Sequence, residues 1–341
     1  MEVNIHKDEI VDLENRISIK EIVSLDNRYP LGKVTKASFT KDKIIVLDKQ
    51  SEEIFAYNRK GEFLFKISDK GKGPNEYTHI QSFFIDKFNR KIKVLEGTGK
   101  ILVYDWTGNF NSVEIADKDL SFSQIMNAMQ LDANTEIHCG LGPDFNLAIC
   151  NSHSGENHKF LPFNEIRDYS FSFKAFSTCE NSVLFCHGMN DSIYSIDREG
   201  VNANYYVDFK ENKIAPALYK GNPQVIDEKY ENQVVAVKLD QLNETLDQVL
   251  FSYWVFDVKN SKGMKTQFAV YNKSENKTYN VASESAFFPV NDVVENQLCA
   301  SLVPPVKLLH SERKNQQINE YLDRNEISED QNPLVLLWEL K

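Results

Sequence analysis

No apolar run in this sequence approaches the ~20 residues that a membrane-spanning helix needs. The opening stretch, MEVNIHKDEIVDLENRISIK, lacks the apolar centre of a secretory signal. Two addresses follow: the cytoplasm, or an exported location with the export signal outside this sequence. Basic residues are in deficit, 39 Lys and Arg against 50 Asp and Glu, a formal charge of −11. Such a field repels phosphate backbones and excludes nucleic acid as a natural partner. The five cysteines (Cys139, Cys150, Cys179, Cys186, Cys299) contain no CxxC pair. An odd number in a long chain argues against a disulfide scaffold, and they read as small buried hydrophobes. There is no GxxxxGK[ST], no HExxH and no GxSxG, so P-loop, zincin and nucleophile-elbow chemistries find no support.

What is present is a repeat. ASFTKDKIIVLDKQSEEIFAYNRKGEFLFKI (37–67) and QSFFIDKFNRKIKVLEGTGKILVYDWTGNFNSVEI (81–115) are the same pattern written twice. Each holds four short apolar runs separated by polar turns, and connections this short force neighbouring strands to pair antiparallel. The turn Tyr57-Asn58-Arg59-Lys60-Gly61 recurs at Tyr104–Gly108, Cys150–Gly155, Ile196–Gly200 and Tyr271–Asn276. Asn or Asp closes such a turn through its side chain, and Gly or Asn supplies the positive φ that ends it. Gly61, Gly108, Gly155 and Gly200 are 47, 47 and 45 residues apart. A four-stranded unit of that length marks a β-propeller blade. Ile45, Ile92, Cys139 and Cys186 share the same 47-residue spacing and predict equivalent positions packed between sheets.

The fold class expected is therefore all-β: one domain over 1–341, a six-bladed β-propeller of four-stranded antiparallel blades. The blades are assigned to 37–67, 80–115, 125–161, 171–209, 249–281 and 287–340. Val225–Leu242 is rich in helix formers and predicts a helical insert near 211–247. Ser311–Asn325 predicts a helix with a Ser N-cap. Phe287–Val290, Leu298–Val303 and Leu334–Leu340 predict three strands of blade six. Ile17–Leu25 then supplies its fourth, outer strand and removes an exposed edge. Residues 1–16 read as polar and frayed.

The string Gly71-Lys72-Gly73-Pro74-Asn75-Glu76-Tyr77, followed by FFID (83–86) and the YDWTGNF turn, resembles the six-bladed β-propeller proteins common in Bacteroidetes. The ending Asn332-Pro333-Leu334-Val335-Leu336-Leu337-Trp338-Glu339-Leu340 resembles their closing strand. The resemblance covers nearly the whole chain. It implies kinship with NHL-repeat propellers and an envelope location, most such proteins being lipoproteins or exported proteins of unknown activity. It implies no catalytic residue.

Propellers bind ligands with loops gathered around a channel. Antiparallel geometry puts the second-to-third-strand loops and the inter-blade loops on one face. That face selects Lys72, Glu76 and Tyr77 from the Gly-Pro loop, with Asp48, Lys49, Glu96, Thr98, Lys100, Pro143, Asp144, His187, Asn190, Asp191 and Lys262. The Gly-Pro loop is no phosphate cradle by context, because a strand and not a helix follows it. Glu76 and Tyr77 are expected to face solvent, and Trp106 to stand exposed in its turn, open to a partner. Seven scattered histidines form no metal motif. No cofactor is expected, although calcium held in the channel by carbonyls and carboxylates needs no contiguous motif. Two readings follow. One is a non-catalytic envelope module presenting its channel mouth to a small molecule, glycan or protein. The other, on fold analogy alone, is a metal-dependent hydrolase, lactonase or lyase at the channel.

Overall fold

The computed structural model describes residues 1–3, 10–11, 16–97, 99–116, 120, 124–141, 145–162, 174–179, 182–187, 190–214, 230, 233–258, 262–281, 285, 287–295, 297–311 and 315–340. Two compact units emerge: residues 23–164 with 330–334, and residues 1–22 with 165–329 and 335–341. The sheets are those of a six-bladed β-propeller.

Two short strands come first, β1 (Ile10–Val11) and β2 (Ile17–Ser24). Blade one is β3 (Val34–Phe39), β4 (Lys43–Asp48), β5 (Glu53–Asn58) and β6 (Phe63–Ile67). Blade two is β7 (Ser82–Asp86), β8 (Lys91–Leu95), β9 (Lys100–Tyr104) and β10 (Phe110–Ile115). Blade three is β11 (Gln124–Gln130), β12 (Thr135–Leu141), β13 (Phe145–Asn151) and β14 (Asn157–Pro162). Blade four is β15 (Phe176–Cys179), β16 (Ser182–Cys186), β17 (Ser192–Ile196) and β18 (Val201–Tyr206). Blade five is β19 (Val234–Glu244), β20 (Gln248–Asp257), β21 (Lys262–Asn272) and β22 (Lys277–Val281). Blade six joins β23 (Asp292–Val294), β24 (Leu298–Val303) and β25 (Leu334–Leu340) to β2, which takes the outer edge as expected.

Burial explains the strand sequences. β4 and β8 are covered on both faces and read as the near-continuous apolar runs KIIVLD and KIKVL. The edge strand β10, FNSVEI, is half exposed. Between blades one and two, Ile45, Leu47, Ile92, Val94 and Tyr104 form one buried cluster. The recurrent turn behaves as read. Asn58 Oδ1 accepts from the backbone of Lys60 and Glu62 at 2.9 and 3.0 Å, and Asp105 Oδ1 from Thr107 and Asn109 at 2.8 and 3.0 Å. Gly61 and Asn276 close their copies at φ 84° and 51°.

Four expectations are corrected. Val234–Glu244, assigned to a helical insert, is the first strand of blade five, and among the described residues there only Lys210–Asn212 is a helical turn. The β-branched cluster Val234, Val235 and Val237 favours a strand buried on both faces over the helix that composition proposed. Residues 215–229 lie outside the description. Of residues 1–16, those described are anchored rather than frayed: Val3 is buried and bonds Asp208, and β1 pairs parallel with β22. Phe287–Val290 is not a strand, and Asp292–Val294 takes that role. The predicted helix is shorter, Gln316–Arg324 (α2, following α1 at Pro305–Leu309), and its cap is Asn315, which accepts from Gln317 N at 2.9 Å.

Strand register also refines the 47-residue spacing. Opposite the recurrent turn, Tyr57 pairs with Ile44, Tyr104 with Ile92, Cys150 with Glu136 and Ile196 with Val183. Counting from those pairs, Cys139 and Cys186 are equivalent, but their partners in blades one and two are Leu47 and Leu95. Ile45 is equivalent to Lys93, Ile137 and Leu184. The second-to-third-strand loops differ in length, which shifts the sequence spacing against the ladder.

Candidate functional site

Within the unit formed by residues 23–164, the residues chosen from sequence meet in one loop region. Glu76 folds back on its own loop and accepts from Gly73 N at 2.7 Å. A Cβ on Gly71 would overlap that carboxylate, so the loop's glycines make room for an internal anion. Lys100 Nζ donates to the Glu76 carbonyl, and Lys72 is exposed. Glu96 is buried and accepts from Thr78 N and Oγ1 at 2.8 and 2.7 Å. Tyr77 does not face solvent: it is fully enclosed, and its hydroxyl donates to the Glu52 carbonyl at 2.8 Å. Asp48 is buried and accepts from Lys33 N, Gln50 N and Ser51 Oγ at 2.8–3.0 Å. Burial would raise its pKa, but these donors outweigh it and hold the carboxyl below the usual range. Lys49 and His79, both 3.0 Å from Glu52, complete a group whose centre, Glu52, the sequence reading omitted. Trp106 is not free: Nε1 donates to Asp42 at 2.8 Å, and Lys43 and Arg90 lie over its ring.

In the other unit, His187 is buried beside the Phe185 ring. Asn190 Nδ2 donates to Tyr194 Oη at 2.6 Å. Asp191 pairs with Lys213 at 2.5 Å, yet burial outweighs the lysine and raises the carboxyl's pKa. Thr98, Pro143 and Asp144, and the Lys262 side chain, lie outside the described residues. Among the described residues no three His, Cys, Asp or Glu side chains converge as metal donors.

A further concave feature among the described residues was not chosen from the sequence. A cleft of about 670 Å³ opens between blades two and three. Its walls are β8 and β10 on one side and β12 and β13 on the other, with the turns at Asn89, Asn134 and Ser152. These turns sit at the blade ends opposite the loops selected above. Inside, Lys93 Nζ lies 2.5 Å from Glu136 Oε1 and 2.7 Å from Glu114 Oε2. Glu136 Oε2 is 2.8 Å from His138 Nε2. Burial disfavours the charged forms of all three inner groups, but their mutual attraction prevails. Lys93 is raised, Glu136 falls to about 2, and His138 rises. Six carboxamides, Asn89, Asn111, Gln130, Asn134, Asn151 and Asn157, line the remainder with Cys150.

Register shows why the cleft lies here. Cys150 occupies the position of Tyr57 and Tyr104, and a thiol fills far less space than a phenol. Lys93 stands where Ile45, Ile137 and Leu184 stand. Glu136 and His138 replace apolar pairs: Ile44 and Val46, Ile92 and Val94, Val183 and Phe185. Polar residues at buried ladder positions, next to a large-to-small exchange, are the signal that finds this site in a sequence.

A family model described as Domain of unknown function (DUF4934) matches residues 26–339. A search of curated proteins finds no match. Among solved structures, a Bacteroides fragilis NCTC 9343 protein described as exported superposes with a TM-score of 0.78 at 17% identity, covering 100% of this chain and 99% of that one. A DUF4221-family member from Bacteroides vulgatus gives 0.56 at 10% identity, covering 96% and 99%. The WD40 repeats of RRP9 give 0.50 at 10% identity, covering 95% and 100%. These likenesses are of fold. Among the described residues no helix is long and apolar enough to cross a membrane.

Proposed function

This chain belongs to the DUF4934 family, and from that premise we propose that it is a non-catalytic binding module of the cell envelope, taking a small, hydroxyl-rich ligand such as a glycan fragment into the cleft between blades two and three. The observation that carries the reading is the lining: six carboxamides around a buried ion network, where the seams between blades one and two and between blades four and five hold large apolar clusters. Carboxamides both donate and accept, which suits hydroxyl groups. The envelope location is supported by the exported description of the Bacteroides fragilis protein, and the NHL-type kinship implied by the sequence belongs to the same proposal.

The test fills the cleft with the side chain that blades one and two carry at this position. Mono- and oligosaccharides are titrated by calorimetry against the wild type, Cys150→Tyr and Asn111→Ala/Asn134→Ala. Binding lost in both variants, with melting transitions retained, supports the site. A saccharide bound equally by all three proteins overturns it.

A further inference from the structure

We propose that Cys150 is a reactive thiol, activated by His138 inside the cleft between blades two and three, and that it reacts stoichiometrically with small electrophiles, peroxides above all. The inference goes beyond ligand binding and needs no bound ligand.

Three observations carry it. Cys139, Cys179, Cys186 and Cys299 are buried at 5% exposure or less, whereas Cys150 is half-buried and lines the cleft. His138 shares its strand face, since Glu136 lies directly across the ladder from Cys150 and His138 is two residues further on. The imidazole is 3% exposed and fixed at Nε2 by Glu136, while its Nδ1, also buried, makes no hydrogen bond. A buried donor without a partner is costly, and thiolate sulfur is a partner that satisfies it.

The charges around the pair favour the same state. Glu136 on β12 faces His138 directly, with Lys93 and Lys91 on β8, Glu114 on β10 and Asp86 at the end of β7 around it. Burial works against an imidazolium, but the Cys150 sulfur and Glu136 outweigh it and push His138 up to about 10. Glu136 thus plays the orienting part and His138 the activating part, as in other Cys–His pairs.

The chemistry balances without a further reactant. The Cys150 thiolate attacks one oxygen of hydrogen peroxide, an S–O bond forms and the O–O bond breaks. Sulfur loses two electrons and the peroxide gains them. The departing hydroxide takes the proton from His138 Nδ1 and leaves as water, with Cys150 as the sulfenic acid.

The experiment is alkylation of the native protein by iodoacetamide between pH 5.5 and 9, with each cysteine followed by peptide mass spectrometry. Cys150 is expected to react at least about tenfold faster than any other cysteine and to keep its rate at pH 6, where an ordinary thiol of pKa about 8.5 is only about 0.3% thiolate. His138→Gln is expected to abolish that advantage at pH 6. Peroxide followed by dimedone labels the wild type and not Cys150→Ser. A wild-type Cys150 no faster than Cys139 at pH 6 overturns the proposal, and this wild-type reading decides even if His138→Gln does not fold. Because no saccharide is present, failure of the ligand reading leaves this result untouched, and the reverse also holds.

Discussion

Lys93 of blade two and Glu136 of blade three meet at 2.5 Å across facing sheets, with side-chain exposures of 9% and 13%. At the equivalent position blades one, three and four carry Ile45, Ile137 and Leu184. Removing one member leaves a buried charge with less compensation. Lys93→Ile is expected to cost about 3 kcal/mol, at the lower end for broken buried pairs because His138 still faces Glu136. Lys93→Ile/Glu136→Ile, which copies the apolar Ile45 and Ile92 of the seam between blades one and two, should cost less than Lys93→Ile alone. Urea unfolding of the four proteins in the cycle checks this, and additive losses would show that the pair has no coupling.

The same network sets a pH dependence. Glu136 has a depressed pKa of about 2, against an ordinary carboxyl value of 4.5. Its contribution is present above the ordinary value and is lost as pH falls through the folded one, between about 4.5 and 2. His138 has the opposite sign. Raised from 6.5 to about 10, it stabilises fully below 6.5, and that stability is lost as pH climbs toward 10. Unfolding free energy measured across both limbs should decline at each end, and His138→Gln should flatten the alkaline limb and shrink the acid limb as well, because His138 is the first partner that holds Glu136 down, leaving the part due to Lys93.

The turn glycines differ in a way that unfolding midpoints resolve. Gly155 has φ 73° and open space where a Cβ would lie. Gly155→Ala meets only the left-handed backbone penalty, about 1–2 kcal/mol. Gly61 has φ 84°, and a Cβ there would overlap the Ser24 carbonyl. Gly61→Ala should therefore cost clearly more than Gly155→Ala, although the two glycines close copies of one turn.

That turn was the most legible feature of the chain, because Asn58, Asp105 and their glycines act through local chemistry that needs no tertiary context. The blade count and the β2 strand in blade six followed from it. Val234–Glu244 was misread because helix and buried strand compete for the same apolar residues, and only the pairing with β20 decides between them. The loop residues Asp48, Glu76 and Glu96 looked available as ligands, but they are taken by backbone donors close in space. The Tyr-to-Cys exchange at Cys150 was visible in the aligned turns. Its meaning emerged once the ladder placed Lys93, Glu136 and His138 on the walls around it.

Asn332 supplies the last prediction. It stands before the closing strand and is 4% exposed. Its Nδ2 donates to the Asp26 and Tyr29 carbonyls at 2.8 and 2.9 Å, and its Oδ1 accepts from Leu31 N at 2.8 Å. Both halves of the carboxamide are therefore used. Asn332→Ala loses three bonds, about 3 kcal/mol at roughly 1 kcal/mol each. Asn332→Asp keeps the acceptor for Leu31 but turns a second carboxylate oxygen toward two carbonyls. Repulsion raises that carboxyl's pKa, so Asn332→Asp should be less stable than Asn332→Ala at pH 7 and should recover as pH falls through the raised value toward about 4 and the acid gains a proton to donate. Urea midpoints of both variants at pH 7 and pH 4 provide the check. A variant Asn332→Asp that matches the wild type at pH 7 would mean that the Asp26–Leu31 segment is held by other contacts.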